Sequence, residues 1–103
     1  MLLEFSPKFA TEKVRITARP TDGPDGTGNP TTLKGPLLVT PSGPGTFVQT
    51  GNESFECISD TIGDTTYDIT YPSDPTLASD QVLVHFLGSD ALSSNLFGEV
   101  LPK

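Results

Sequence analysis

The feature that most constrains the fold is a series of short segments in which apolar and polar residues alternate. In residues 13–19, Val14, Ile16 and Ala18 alternate with charged or hydroxyl-bearing side chains. Successive side chains of a β-strand point to opposite faces, so this alternation predicts a strand with one buried face. Further segments with the length and composition of strands are residues 37–40, 46–49, 55–59, 66–71 and 81–87.

Glycine and proline separate these segments. The chain of 103 residues contains 10 glycines and 10 prolines, which are spread along its length and are dense in residues 20–30. Both residue types end helices and form turns, and no amphipathic stretch of helical length lies between the strand segments. Parallel α/β order is therefore excluded. Short strands with turn signals every eight to twelve residues or so predict a sandwich or barrel.

A chain of this length is expected to form one core. We expect one domain at residues 13–88, preceded by an N-terminal arm at residues 1–12. Residues 89–103 are expected to form a C-terminal extension that packs on the domain or on a neighbour, and Asp90 could cap one helical turn there that runs through Asn95.

Two segments indicate how the sheets are layered. Residues 82–87 are apolar on both faces, as in the central strand of a covered sheet. In residues 66–71, Tyr67, Ile69 and Tyr71 share one face, so this strand should have one side in water. The residues expected in the core are Val14, Ile16, Leu38, Phe47, Cys57, Ile69, Val82 and Val84.

Three stretches resemble the bacterial immunoglobulin-like domains that occur as modules in surface adhesins and phage structural proteins. They are residues 14–18 followed by Asp22-Gly23, residues 28–33, and residues 63–70 with their Gly-Asp-Thr-Thr start. The resemblance implies an all-β, immunoglobulin-like β-sandwich of about seven antiparallel strands. That family usually places a tryptophan in its third strand. Residues 36–40 have none, and Leu38 is expected to fill the space instead.

The charge is strongly asymmetric. The net charge is -7, residues 1–34 are nearly neutral, and residues 35–102 contain no lysine or arginine. A nucleic-acid partner is therefore excluded, because phosphates need a basic footprint. The acidic half either keeps the protein soluble or docks a basic partner.

The residues needed for catalysis are scarce. The chain has a single histidine, His85, and a single cysteine, Cys57. Few residues are therefore present from which a Ser/His/Asp or Cys/His catalytic arrangement could form. We expect no enzymatic activity and no cofactor. His85 is expected to be a core or sheet-face residue, and Cys57 a small buried one.

Calcium is the only metal for which candidate ligands exist. It takes oxygen ligands from loops, and several aspartates lie in predicted turns. Aspartate is also common in turns because it bonds to its own backbone, and the spacing is not that of an EF-hand. The weak candidates are Asp22, Asp25, Asp60 and Asp64.

The two termini are the expected contact surfaces. Both are apolar, and they either close the core or reach a neighbouring subunit. We expect the N-terminal arm to be held loosely until a neighbour pairs it as an edge strand, because burial and ordering nearly cancel. The predicted partner-binding residues are Leu2, Leu3, Phe5, Phe9, Leu96 and Phe97.

These observations lead to a binding function. The chain shows neither a signal peptide nor a membrane span, so we expect it to be made in the host cytoplasm and to reach a virion. The leading hypothesis is a phage accessory component, either a head decoration (cement) protein or a tail or fibre component. Its partner would be a capsid or tail protein, or another copy of itself. The alternative is a domain excised from a bacterial cell-surface adhesin that binds glycan or protein through its loops.

Overall fold

The computed structural model of the chain describes residues 2–88 and 94–103. In these ranges seven strands form two sheets, and one short 3-10 turn lies at Pro24–Gly26. The strands are β1 (Leu2–Phe5), β2 (Val14–Thr17), β3 (Leu38–Ser42), β4 (Thr46–Gln49), β5 (Ser54–Ile58), β6 (Gly63–Thr70) and β7 (Asp80–Phe86).

The two sheets pack face to face. One has the strand order β1-β7-β6-β3 and the other β2-β5-β4. A single cluster of buried residues from both sheets lies between them, and the rings of Phe55 and Tyr67 meet across the interface with centroids 6.1 Å apart. The prediction of an all-β sandwich is confirmed.

One pairing differs from the prediction of antiparallel strands. β1 runs parallel to β7, with Leu2 opposite Gln81 and Phe5 opposite Val84, while every other strand pair in the described residues is antiparallel. β1 and β7 lie at opposite ends of the sequence, so no hairpin turn fixes their relative direction. The orders β2-β5-β4 and β7-β6-β3 correspond to the B-E-D and G-F-C orders of immunoglobulin-type sheets.

The core follows the alternation of the sequence with one exception. The predicted core residues Ile16, Cys57, Ile69, Val82 and Val84 are buried, and Val14 and Phe47 are partly buried against them.

Leu38 is the exception, and its placement in the core was wrong. It is 55% exposed, while Leu37 and Val39 are 3% and 6% exposed. Three consecutive apolar residues do not specify which ones face inward, and a shift of one residue reverses every side chain. The strand register determines which of these residues face the core, because Val39 lies opposite the inward-facing Ile69.

The layering prediction for residues 66–71 is confirmed, and that for residues 82–87 holds only in part, because the outer face of β7 is not covered: Leu83 and His85 are partly buried and Leu87 is exposed. β7 lies between β1 and β6, and Val82, Val84 and Phe86 along it are buried. On β6, Tyr67 and Ile69 are buried while Thr70 is exposed.

The N-terminal segment lies along β7 of its own chain. Beyond β1 it continues with hydrogen bonds from Leu87 N to Pro7 O (2.9 Å) and from Phe9 N to Leu87 O (3.1 Å). Phe5 and Phe9 pack against the core. The arm is therefore an edge strand of the sandwich itself, which differs from the expectation that only a neighbour would order it.

The C-terminal residues contrast with this arrangement. Residues 94–103 are exposed throughout. The helical turn expected from Asp90 falls largely on residues 89–93, which lie outside the described residues.

Candidate functional site

An apolar groove opens between the free edges of β1 and β2. These strands belong to different sheets, and each forms the edge of its own sheet. The groove has a volume of about 590 Å³ and lies at the end of the sandwich where β7 begins. Its floor consists of core side chains, namely Ile16, Leu33, Leu37, Ile69 and Val82.

The loop between β2 and β3 closes one end of this groove. A bridge between Thr21 and Pro30 holds the loop together, and the carboxylate of Asp22 accepts a 2.7 Å hydrogen bond from Asn29 N. The folded loop places Leu33 in the core. Sequence reasoning missed Leu33, because it lies in no alternating segment and its burial follows from the path of the loop.

The rim of the groove combines apolar and polar groups. Leu3 on β1 is 42% exposed beside it. The Tyr71 hydroxyl donates a 2.6 Å hydrogen bond to the Asp80 carboxylate. Burial, together with this hydrogen bond, raises the pKa of Tyr71 well above its usual value, so the phenol stays protonated. Arg19 also lines the rim, and it pairs with no carboxylate in residues 2–88 and 94–103.

Cys57 is enclosed in the core, away from the groove rim. It has no exposed surface, and burial raises the pKa of its thiol to about 12. At neutral pH it is therefore a protonated thiol, and the prediction of a small buried cysteine is confirmed. The neighbouring Tyr67 hydroxyl donates a 2.7 Å hydrogen bond to the carbonyl of Thr46.

His85 lies on the outer face of the four-stranded sheet. A sheet-face position was one of the two expected for it, the other being a core position. Its Nδ1 is 2.8 Å from the Asp64 carboxylate on β6, and its Nε2 is 3.9 Å from the Glu4 carboxylate on β1. The ring therefore forms a hydrogen bond with β6, while the Glu4 carboxylate on β1 lies nearby but beyond hydrogen-bonding distance.

The calcium candidates are not brought together. Asp22 bonds within its loop, Asp64 contacts His85, and Asp60 is exposed in a separate turn. The side chain of Asp25 lies outside the described part of the chain. Across that part, no group of three or more His, Cys, Asp or Glu residues could hold a metal ion.

Glu56 forms the centre of a charge cluster on the outer face of the three-stranded sheet. Its carboxylate is 3.0 Å from the Arg15 guanidinium and 3.2 Å from the Lys13 ammonium. Hydrogen bonds from Arg15 and then Lys13 lower the pKa of Glu56.

Replacing Glu56 with Gln is expected to make the free energy of unfolding less dependent on pH in the acidic range. Because the folded-state pKa is lowered, the contribution of Glu56 is present above its unfolded pKa of about 4.3 and disappears as pH falls through the folded value. Urea unfolding of both proteins across this pH range measures the effect. Glu99→Gln, the same change on an exposed C-terminal residue, is the control. A difference from wild type that persists at the lowest pH would contradict the assignment.

The predicted partner-binding residues fall into three groups. Phe5 and Phe9 pack against the core, whereas Leu2 and Leu3 remain half exposed on β1. Leu96 and Phe97 are 95% and 96% exposed, and the next large apolar residue, Val100, is 100% exposed.

Residues 2–88 and 94–103 contain no helix with the length and apolar character needed to cross a membrane. Comparison with protein-family models, with curated proteins and with solved structures found no match to this chain.

Proposed function

We propose that this protein is a non-catalytic structural component of a phage particle, built on an immunoglobulin-like sandwich, and that it attaches through its C-terminal segment and the edge formed by β1. The single observation that carries the proposal is the exposure of the C-terminal apolar residues. Leu96, Phe97 and Val100 lie almost wholly in water, where large apolar side chains are unfavourable. A protein partner that covers them removes this cost.

The strand arrangement supports the immunoglobulin-like part of the proposal. The orders β2-β5-β4 and β7-β6-β3 are those of immunoglobulin-type sheets, and the sequence resemblance covers residues in β2 and β6. Modules of this kind act by presenting edges and loops to partners. An extended segment added to such an edge obtains affinity from backbone hydrogen bonds and specificity from alternate side chains.

The distribution of charge and apolar surface supports attachment through one region. The sandwich from β3 onward carries only acidic charges, which keep its outer surface hydrated. The fully exposed large apolar residues are concentrated in the C-terminal segment. This division suits an accessory protein that inserts one segment into an assembly and leaves its domain in solvent.

The test is whether the protein travels with particles. A tagged chain is expressed in cells that produce phage, the lysate is separated on a density gradient, and the tag is quantified in the particle band. The wild-type chain should be found in that band, and a Leu96→Asp, Phe97→Asp variant should remain in the soluble fractions. Val48→Asp changes an exposed apolar residue on β4 and should behave like wild type. A wild-type chain found only in soluble fractions would refute the proposal.

A further inference from the structure

We propose that β4 is a self-association edge, which pairs antiparallel with β4 of a second copy of this chain about a two-fold axis that passes at Val48. The two three-stranded sheets then form one continuous sheet across the dimer. This inference goes beyond the proposed attachment and involves none of the residues assigned to it.

β4 is the edge strand that is least protected against pairing. The two sheets end at β1, β3, β2 and β4. Glu4 on β1 and Arg15 on β2 would each oppose a like charge in a self-pairing, and Pro41 on β3 has no N–H to donate. β4, with the sequence Thr-Phe-Val-Gln, has neither a charge nor a proline, and three of its four residues are of types that favour strands.

The free backbone groups of β4 can be identified from its ladder with β5. Thr50 N donates a 3.0 Å hydrogen bond to Ser54 O at the end of this ladder. Bonded and non-bonded pairs alternate in an antiparallel ladder, so the N–H and C=O groups of Phe47 and Gln49 point away from β5. Within residues 2–88 and 94–103, no hydrogen bond joins these outward groups to another residue.

One register with a second copy satisfies all of these groups. When Phe47 lies opposite Gln49 of the second copy, each outward N–H meets an outward carbonyl, and symmetry repeats the arrangement on the other side of the axis. Val48 then lies opposite its own equivalent in a non-bonded pair, in which Cα atoms are about 4.5 Å apart and side chains are closest. Val48 is 51% exposed in the single chain, so the pairing covers an exposed apolar side chain.

The charge distribution around β4 also favours a second copy. The net charge is -7, so two copies repel each other over most of their surfaces. No residue between Lys34 and Glu53 is charged, and β4 lies within this stretch. On the neighbouring strand β5, the Glu56 carboxylate is already paired with Lys13 and Arg15. Identical copies therefore meet at this edge without opposing like charges.

Sedimentation over a wide range of concentration tests the proposal. The wild-type chain should show a monomer–dimer equilibrium, because a contact between like surfaces closes on itself. Val48→Lys places like charges opposite one another and should weaken dimerisation at least about tenfold. Leu38→Lys, at a residue of similar exposure (55%) on β3, should dimerise like wild type. Circular dichroism of each variant checks that the sandwich is intact. A wild-type chain that stays monomeric, or a Val48→Lys variant that dimerises like wild type, would overturn the proposal.

Mixing two charge variants tests the symmetry of the contact. Val48→Lys and Val48→Asp should each dimerise weakly alone, but the mixture should form a heterodimer more tightly than either variant pairs with itself, because opposite charges then face each other. A mixture that pairs no better than its components would show that residue 48 does not face its own equivalent.

Disulfide crosslinking tests the register. Val48→Cys, incubated with oxidised glutathione, should form a covalent dimer, since a Cα separation of about 4.5 Å lies within the range of disulfides. Thr46→Cys is the matched control, because four residue steps of about 3.3 Å place it about 13 Å from its own equivalent. The native Cys57 has no exposed surface and does not compete.

Equal crosslinking of the two cysteine variants, or none at residue 48, would refute the pairing. The particle test depends on other residues, so a chain that fails to dimerise can still attach to particles, and a chain that dimerises can fail to attach. Failure of this inference is thus distinguishable from failure of the proposed function.

Discussion

Replacing Phe55 with Ala is expected to lower the free energy of unfolding by about 3–5 kcal/mol, as truncation of a fully buried phenylalanine does. Phe55 has no exposed surface, and its ring contacts Phe47 edge-to-face with centroids 6.1 Å apart. It also contacts Tyr67 of the opposite sheet at 6.1 Å, so it joins the two layers. Against a total stability of about 5–15 kcal/mol for a domain, this single change should remove a large fraction.

The same chemical change at Phe97 is the matched control. That side chain is almost wholly exposed, so Phe97→Ala should leave unfolding by urea unchanged when measured at low concentration. The comparison distinguishes a phenylalanine that stabilises the core from one that is exposed. The sequence alone does not make this distinction. If both substitutions lowered the free energy of unfolding equally, Phe97 would be covered within its own chain. If neither substitution lowered it, Phe55 would not be a core residue.

Much of the sandwich could be predicted because alternation is a local property. The segment 46–49 coincides with β4, and the other five predicted segments overlap β2, β3, β5, β6 and β7. The inward-facing residues were predicted correctly wherever apolar and polar residues strictly alternate. The prediction failed at residues 37–39, where alternation is absent and the pairing of β3 with β6 determines which residues face inward.

The groove could not be predicted, because it depends on which strand edges meet in space. β1 joins the sheet of β7, while β2 joins that of β5, and the opening lies between them. Part of its floor comes from Leu33 and Leu37, which lie outside the strands that the structure contains. Their burial follows from the closed loop at residues 21–30 and a 2.9 Å hydrogen bond from Leu37 N to Asn52 O.

The two termini are both apolar in sequence, but only the N-terminal segment pairs with an edge of β7. The N-terminal segment pairs with one edge of β7, and Phe5 and Phe9 are partly buried against the core. The C-terminal segment follows β7 along the chain, and both edges of β7 are already taken by β1 and β6. It therefore cannot pair with the strand that it follows. One terminus is an edge strand of the sandwich, and the other is exposed.

Gly43→Ala is expected to cost about 2–6 kcal/mol, from backbone strain of about 1–3 kcal/mol and overpacking of similar size. Gly43 lies in the turn between β3 and β4 with φ of 135°, a conformation that side-chain-bearing residues rarely adopt. A methyl group there would also meet the carbonyl oxygen of Asp64 and approach Thr65 Cα to 2.9 Å. Both contacts are to the backbone of the central strand β6, which cannot rotate away.

Gly26→Ala separates these two causes. Gly26 also has a positive φ, 77°, but nothing lies within 4 Å of an added methyl group. It should therefore show only the conformational cost, about 1–2 kcal/mol. Urea unfolding of the two variants compares a position that has a conformational cost alone with one where steric overlap is added. If Gly43→Ala were no more destabilising than Gly26→Ala, the β3–β4 turn would not be packed against β6.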